Sequence, residues 1–227
     1  MQKYVLITAG GKGVRMQSDK PKQFLDLSGR PVLLRTFDAF LAYAPDIYFV
    51  LVLPETFHAY WFKLCETFGF HTQCKLADSG PTRFHSVKNG LKLVPDNVLL
   101  AIHDGVRPLV SRETISRVFN YAEKFGNAIP VVGVNQSVRI SEHALSSALP
   151  REKIKLVQTP QCFRSEIIKR AYNQSFRTNY TDDASVVESE GERLYLVDGN
   201  HENIKITTPL DLRVAEALLE NQTGSAS

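Results

Sequence analysis

The sequence predicts an α/β fold, a mostly parallel mixed sheet flanked by helices, on three observations. Apolar runs of strand length alternate with longer amphipathic segments. Two of the runs, Ile47 to Leu53 and Val98 to Ile102, are almost unbroken, as in strands covered on both faces. The first run, Tyr4 to Ile7, stops abruptly in glycines and cations. That puts a polar loop beyond the carboxyl end of a strand, where open α/β sheets bind their ligands.

The elements follow in chain order. Tyr4 to Ile7 is a buried strand, and Leu25 to Pro31 contains a Ser28-Gly29 turn. Pro31 suits the first turn of a helix through Tyr43, with Leu34, Phe37, Phe40 and Leu41 on one face. After the strand at Ile47 to Leu53, Thr56 to Phe68 is helical, and its aromatic residues (Phe57, Tyr60, Trp61, Phe62, Phe68) read as core packing. Strands at His71 to Leu76 and Val98 to Ile102 bracket a helix over Thr82 to Val94. Between Val134 and Val157 the chain turns polar and helix-poor. Ile154 and Leu156 alternate there with Lys155 and Val157, which predicts the returning strand of a hairpin arm. Helices at Ser165 to Asn173 and Asp183 to Glu190 and strands at Leu194 to Val197 and Asn203 to Thr207 come next. Thr208-Pro209-Leu210-Asp211 is a capping signature for a last helix whose apolar stripe is Leu212, Ala215, Leu218 and Leu219. The expected organisation is one domain over 1–227 with an arm at about 134–157.

Composition excludes several classes. At 227 residues and 43% hydrophobic content the chain can bury a sizeable core. A formal net charge of +3 is too small to argue for a nucleic-acid surface. Cys65, Cys74 and Cys162 are odd in number and lack metal-type spacing, so they read as reduced, buried thiols of a cytoplasmic protein. No apolar run approaches the roughly 20 residues that span a bilayer, and no export signal is seen.

Ile7 to Phe24 reads I-T-A-G-G-K-G-V-R-M-Q-S-D-K-P-K-Q-F. Gly10, Gly11 and Gly13 let backbone N–H groups approach phosphate oxygens, while Lys12, Arg15, Lys20 and Lys22 supply charge. A dinucleotide fingerprint would need glycine where Met16 stands, and a P-loop would need Ser or Thr where Gly13 follows Lys12. Neither fits. Three further clusters fall at strand ends: Ser79 to Val87 opens a helix, His103-Asp104-Gly105-Val106-Arg107-Pro108 turns a carboxylate and an arginine into a loop, and Thr181-Asp182-Asp183-Ala184-Ser185 starts another helix. An apolar strand that delivers Asp104 and Arg107 either binds something or holds a structural ion pair. Asp182 and Asp183 read as helix caps, with Thr181 able to donate to a phosphate.

Taken together, A-G-G-K-G-V-R-M, P-K-Q-F, S-G-P-T-R-F-H-S-V, H-D-G-V-R-P, Q-T-P-Q-C-F, T-D-D-A-S-V-V-E and N-I-K-I-T-T-P-L-D-L, in that order, resemble the cytidylyltransferases that act on 2-C-methyl-D-erythritol 4-phosphate, within the sugar-nucleotidyltransferase superfamily. The likeness covers nearly the whole chain. It implies a Rossmann-like domain, a non-mevalonate isoprenoid pathway reaction and a homodimer formed through the arm. By that resemblance Arg15 and Lys22 hold the triphosphate and stabilise the transition state. Ala9, Gly10, Gly11 and Gly13 line the nucleotide, and Gly80, Pro81 and Ser86 lie near the cytosine. Asp104, Gly105, Arg107, Ser137, Thr159, Thr181 and Lys205 surround the sugar-alcohol phosphate, Asp104 also facing the nucleotide. A second subunit supplies Arg151. The chain departs from the family at Pro81, which has no N–H to offer a base, and at Gly105, where alanine is frequent.

The implied reaction needs no general base, because a phosphate monoester with a second pKa of about 6 is already anionic at neutral pH. Positioning and charge stabilisation are the task, which accounts for a prominence of cations. Mg²⁺ is the expected ion, held mainly by the CTP phosphates. A ribitol 5-phosphate cytidylyltransferase shares most of the blocks; the Thr181 to Ser185 block favours methylerythritol phosphate. A non-catalytic nucleotide-binding regulator on the same fold is the alternative of another class, and Arg15, Lys22 and Lys205 together argue against it.

Overall fold

A computed structural model describes residues 1–11, 20–142 and 145–224. Its centre is strand β1 (Gln2–Thr8), flanked in parallel by β4 (Tyr48–Leu53) and β6 (Val98–Asp104), with β5 (Cys74–Asp78) parallel to β4 at one edge. On the other side β11 (Gln161–Arg164) runs antiparallel to β6 and to β7 (Asn127–Gly133). Strand β7 also pairs with β10 (Lys155–Val157) and β12 (Leu196–Asp198). The sheet has eight strands and is mixed, with its parallel part around β1.

Alternation along the central strands explains why helices cover both faces. Val5, Ile7, Phe49, Leu51, Leu99 and Ala101 point into one core under α1 (Val32–Tyr43), α2 (His58–Thr67) and α4 (Arg112–Phe125). Tyr4, Leu6, Val50, Val52, Leu100 and Ile102 point into another under α3 (Arg83–Leu91), α5 (Ser165–Ala171) and α6 (Asp183–Glu188). A smaller cluster of Leu27, Val32, Val106, Leu109, Ile206 and Ala215 ties α7 (Pro209–Gly224) to the turn after β6. The Ser28-Gly29 turn joins β2 (Asp26–Leu27) to β3 (Arg30–Pro31), both turn residues having positive φ (52° and 79°) as a two-residue hairpin demands.

Several expectations shift. Helix α4 was not among the predicted elements, although Ser111 caps it by accepting from the Thr114 N–H at 3.1 Å and Gly126 ends it at φ 95°. The strand expected from His71 begins at Cys74, and the one expected at Leu194 begins at Leu196. Asn203 to Thr207 is not a strand: Ile206 N–H donates to Val106 O, but no ladder forms, because the segment packs against a turn. In α2, Trp61 is buried against Phe37 and Phe70 as expected, whereas Phe62 is exposed. The last helix starts as predicted, with Asp211 accepting from the Thr208 N–H at 2.7 Å and its own N–H donating to Thr208 Oγ1 at 3.3 Å.

The arm is present as an antiparallel hairpin of β8 (Val138–Glu142) and β9 (Leu145–Leu149), which pairs with no other strand among the described residues. Its returning chain passes through a 3₁₀ turn at Arg151–Lys153 into β10, the predicted return strand. Burial pushes the thiol pKa of Cys65 up to about 11 and that of Cys74 up to about 12, so both stay protonated at neutral pH. No described helix is long and apolar enough to cross a membrane.

Candidate active site

Register brings the motifs together. Thr8 pairs with both Val52 and Asp104, and Leu53 with Asp78, so the loops after β1, β5 and β6 leave one edge of the sheet. Because β11 is antiparallel, Gln161 pairs with Ile102 and its preceding residues, Gln158 and Thr159, arrive at that same edge. Segments far apart in sequence thus meet where the resemblance expects substrates.

Gly10 and Gly80 show why the loops need glycine. A Cβ on Gly10 would lie 2.8 Å from Ser79 Cβ, and one on Gly80 would lie 2.4 Å from His85 Cβ. The first loop therefore sits directly on the second. Ser86 Oγ accepts from the Gly80 N–H at 3.0 Å, and Thr82 caps α3. Pro21 leads into a 3₁₀ turn at Lys22–Phe24, in which the buried Gln23 donates to the Ala9 carbonyl at 2.8 Å. That bond seats Lys22 over the glycine loop, its ε-carbon 4.0 Å from where a Gly11 Cβ would stand. Gly13 and Arg15 lie outside the described residues.

Around Asp104 the charges are dense. Its Oδ2 is 2.9 Å from Lys205 Nζ and 3.4 Å from Arg107 Nε, and its Oδ1 is 3.6 Å from Arg83 Nε. Arg83 also makes a two-pronged pair with the fully buried Asp183, at 2.8 and 2.6 Å, and Asp183 accepts from Tyr172 Oη at 2.6 Å. Three cations face two carboxylates, which leaves one positive charge to receive an anion. Burial alone would raise the Asp104 pKa, but Arg83, Lys205 and Arg107 hold it well below the usual carboxylate range. Lys205 is set between Ile204 and the fully buried Ile206, both packed in the small cluster under the turn, which directs its ammonium to Asp104.

His103, fully buried, is neutral at pH 7, with a pKa that burial lowers to about 4. Its Nε2 lies 2.9 Å from the Arg107 carbonyl, which can only accept, so Nε2 carries the proton. Nδ1 then accepts from the Thr159 hydroxyl at 3.1 Å, and that hydroxyl accepts from the Asp104 N–H at 3.1 Å.

The expected residues divide into two groups. Lys22, Gly10, Gly11, Gly80, Ser86, Asp104, Arg107 and Lys205 meet at the sheet edge. Gly105 is buried against Leu33 and Ile7, its N–H on Thr8 O, and the Thr159 hydroxyl is occupied by His103 and Asp104, so both support the site from behind. Thr181 is exposed just ahead of α6. Asp182 caps that helix as predicted, accepting from the Ser185 N–H at 2.8 Å, but Asp183 is the buried partner of Arg83. This corrects its reading as a cap: Asp183 is the first residue of the helix, directly after the capping Asp182, and its side chain faces inward. Arg83 and His103, quoted in their motifs but given no role, are the residues that sequence reasoning missed. An arginine at the start of a buried helix and a histidine on a core strand were the available signals.

A cleft of about 540 Å³ opens beside Arg107 and Lys205, bounded by the root of the arm at Gly133 to Gln136 and by Leu156 to Gln158. Ser137 is the next, exposed residue of that root. Arg151 is more than half exposed and lies 3.6 Å from Glu152, so its own chain does not bring it to Asp104 in this structure.

Residues 3–221 match the family model described as 2-C-methyl-D-erythritol 4-phosphate cytidylyltransferase. Proteins of that name from Bacteroides fragilis and Phocaeicola vulgatus are 52% and 50% identical, each over 96% of this chain and 100% of their own length. The crystal structure of the Thermus thermophilus enzyme of that name superposes with a TM-score of 0.76 at 31% identity, covering 97% of this chain and 100% of the other. That of 4-diphosphocytidyl-2C-methyl-D-erythritol synthase from Anaerococcus prevotii gives a TM-score of 0.82 at 28% identity, over 96% of both chains.

Proposed function

From the premise that this chain belongs to the 2-C-methyl-D-erythritol 4-phosphate cytidylyltransferase family, we infer that it joins CTP to 2-C-methyl-D-erythritol 4-phosphate. A phosphate oxygen of the alcohol attacks the α-phosphorus of CTP. The bond to the β-phosphate bridging oxygen breaks, giving 4-diphosphocytidyl-2-C-methyl-D-erythritol and pyrophosphate. The observation that carries this reading is the cationic edge where Lys22 stands over the glycine loop while Arg107 and Lys205 border the neighbouring cleft.

In this reading Lys22, with Arg15, holds the triphosphate and receives the charge that builds up on the leaving oxygens. Ala9, Gly10, Gly11 and Gly13 supply the backbone around it, and the Gly80, Pro81 and Ser86 loop meets the base. Lys205 and Arg107, with Thr181 and Ser137 nearby, receive the acceptor, and Asp104 keeps the two cations aimed. No residue is asked to remove a proton, and His103, with both nitrogens engaged, is not placed to do so. Among the described residues no three His, Cys, Asp or Glu side chains converge as a metal cage, and Asp104 is already held by Lys205. That donor set suits Mg²⁺ arriving on the triphosphate oxygens, where it would neutralise charge and polarise the α-phosphoryl group.

The chain works as one domain over 1–227 in the cytoplasm, and the arm at 134–157 joins two copies so that Arg151 reaches the neighbour's acceptor. An isolated two-stranded hairpin with exposed Ile140 and Leu145 is not stable by itself, which supports a covering partner. Pyrophosphate release measured with each alcohol phosphate should show methylerythritol phosphate far ahead of ribitol 5-phosphate, and CTP ahead of UTP and ATP; equal turnover of the two alcohols overturns the assignment. The arm is tested by mixing inactive Lys22→Ala and Arg151→Ala proteins. Contribution across the interface leaves one intact site per mixed dimer and restores activity. No recovery in proven mixed dimers places Arg151 in its own chain's site.

A further inference from the structure

The imidazole of His103 occupies a place where the sheet would otherwise carry an apolar side chain. It follows Leu99 and Ala101 on the face covered by α1, is fully buried, and meets the edge of the Phe40 ring at 5.0 Å between centroids. A polar ring in such a position is costly unless each nitrogen is satisfied. Both are: one partner lies in the turn after β6, and the other, Thr159, holds that turn from the segment before β11. Nε2–H donates to the carbonyl of Arg107, and Nδ1 accepts from Thr159, whose oxygen takes the backbone N–H of Asp104. The ring therefore grips the turn at its first and last residues. The turn is closed besides by Arg107 N–H on Asp104 O at 3.1 Å, and Arg107 Nη1 donates to the Asn203 carbonyl at 2.7 Å, two residues before Lys205.

We propose that His103 is a positioning residue for the acceptor substrate, acting with Thr159 as a buried relay that sets the Asp104 to Arg107 turn and, through Arg107, the segment that carries Lys205. The Thr159 hydroxyl has its donor and an acceptor lone pair engaged by the relay, so its contribution to acceptor binding is made through the protein framework. Through Arg107 the relay runs to the acceptor side, while the start of the turn also meets Thr8, its Gly105 N–H on Thr8 O. Lys22 itself is seated by a different bond, Gln23 on Ala9 O. Disturbing the relay should then weigh on the acceptor more than on CTP, which a general loss of stability would not do. The inference rests on the reading that Arg107 and Lys205 receive the acceptor phosphate.

The test uses the full-length protein with His103→Phe, which keeps the ring and loses both hydrogen bonds, and Thr159→Val, which breaks the relay with the imidazole left in place. Each should raise KM for the acceptor by about tenfold, the scale of one lost buried hydrogen bond, with KM for CTP within about twofold of the parent. The double variant should be no worse than His103→Phe, since both break one relay. If His103→Phe does not fold, His103→Gln, with its amide N–H on the Arg107 carbonyl, has no acceptor at the place of Nδ1 for Thr159 and should reproduce the Thr159→Val pattern. Parallel rises in both KM values, or no rise in the acceptor KM, overturn the positioning role. Lys205→Ala separates this from the reading beneath it: an unchanged acceptor KM in that variant removes the acceptor assignment itself, whereas a raised one beside a normal Thr159→Val refutes the relay alone.

Discussion

Lys22 beside Gly11 and the cluster around Asp104 both present positive charge at the same edge of the sheet, and they are built in opposite ways. Lys22 belongs to the same short stretch as the glycines it covers, and a buried amide on a neighbouring carbonyl seats it. The Asp104 cluster draws Arg83 from α3, Arg107 from the turn after β6, Asp183 from α6 and Lys205 from the segment before α7, with almost every charge paired inside the protein. In the proposed reading the first region directs its charge to a ligand. The second spends most of its charge on itself and leaves a single excess cation. Changes in the second should therefore be felt in folding as well as turnover, and changes in the first chiefly in turnover.

The largest effect expected from that contrast is at Asp183. Asp183→Ala leaves Arg83 without its buried partner and should cost about 3–5 kcal/mol of stability, read as a lowered denaturant midpoint. Replacing both partners, Arg83→Met with Asp183→Leu, should recover most of that loss while leaving activity impaired. A single variant of near-parental stability would mean that Asp104 takes over the guanidinium and the cluster is less self-contained than its distances imply.

Lys22→Ala should behave in the opposite sense, with the midpoint far less affected than in Asp183→Ala and kcat lowered by about 2–4 kcal/mol of barrier. A normal kcat would remove Lys22 from the transition state and leave the glycine loop as a turn.

Acid sharpens the comparison further. His103 has a folded pKa of about 4 against an ordinary value near 6.5, so the unfolded chain binds the extra proton first and stability, full above pH 6.5, is lost as pH falls toward 4. The loss should approach about 3 kcal/mol. Denaturant midpoints measured from pH 7 to pH 4 should show this slope in the parent and a flatter one in His103→Gln. Equal slopes would place the acid sensitivity in another group.

The layering of the fold was readable because strands buried on both faces must be apolar throughout, as Ile47 to Leu53 and Val98 to Ile102 are, and because Ser28-Gly29 and Thr208 to Asp211 carry their turn and cap chemistry locally. For the same reason the glycine loop could be read as an anion site: its donors and cations are neighbours in the chain. Asn203 to Thr207 misled, since alternating apolar residues look alike whether they face a ladder or a turn. What pairs with what around Asp104 was decided only by tertiary structure. Thr181-Asp182-Asp183 reads as a cap in isolation, and only the crossing of α3 past α6 turns Asp183 inward onto Arg83. Likewise only the antiparallel entry of β11 beside β6 carries Thr159 to His103. Local chemistry is written in adjacent letters, whereas a buried ion pair or relay exists only once the chain has closed the distance between its ends.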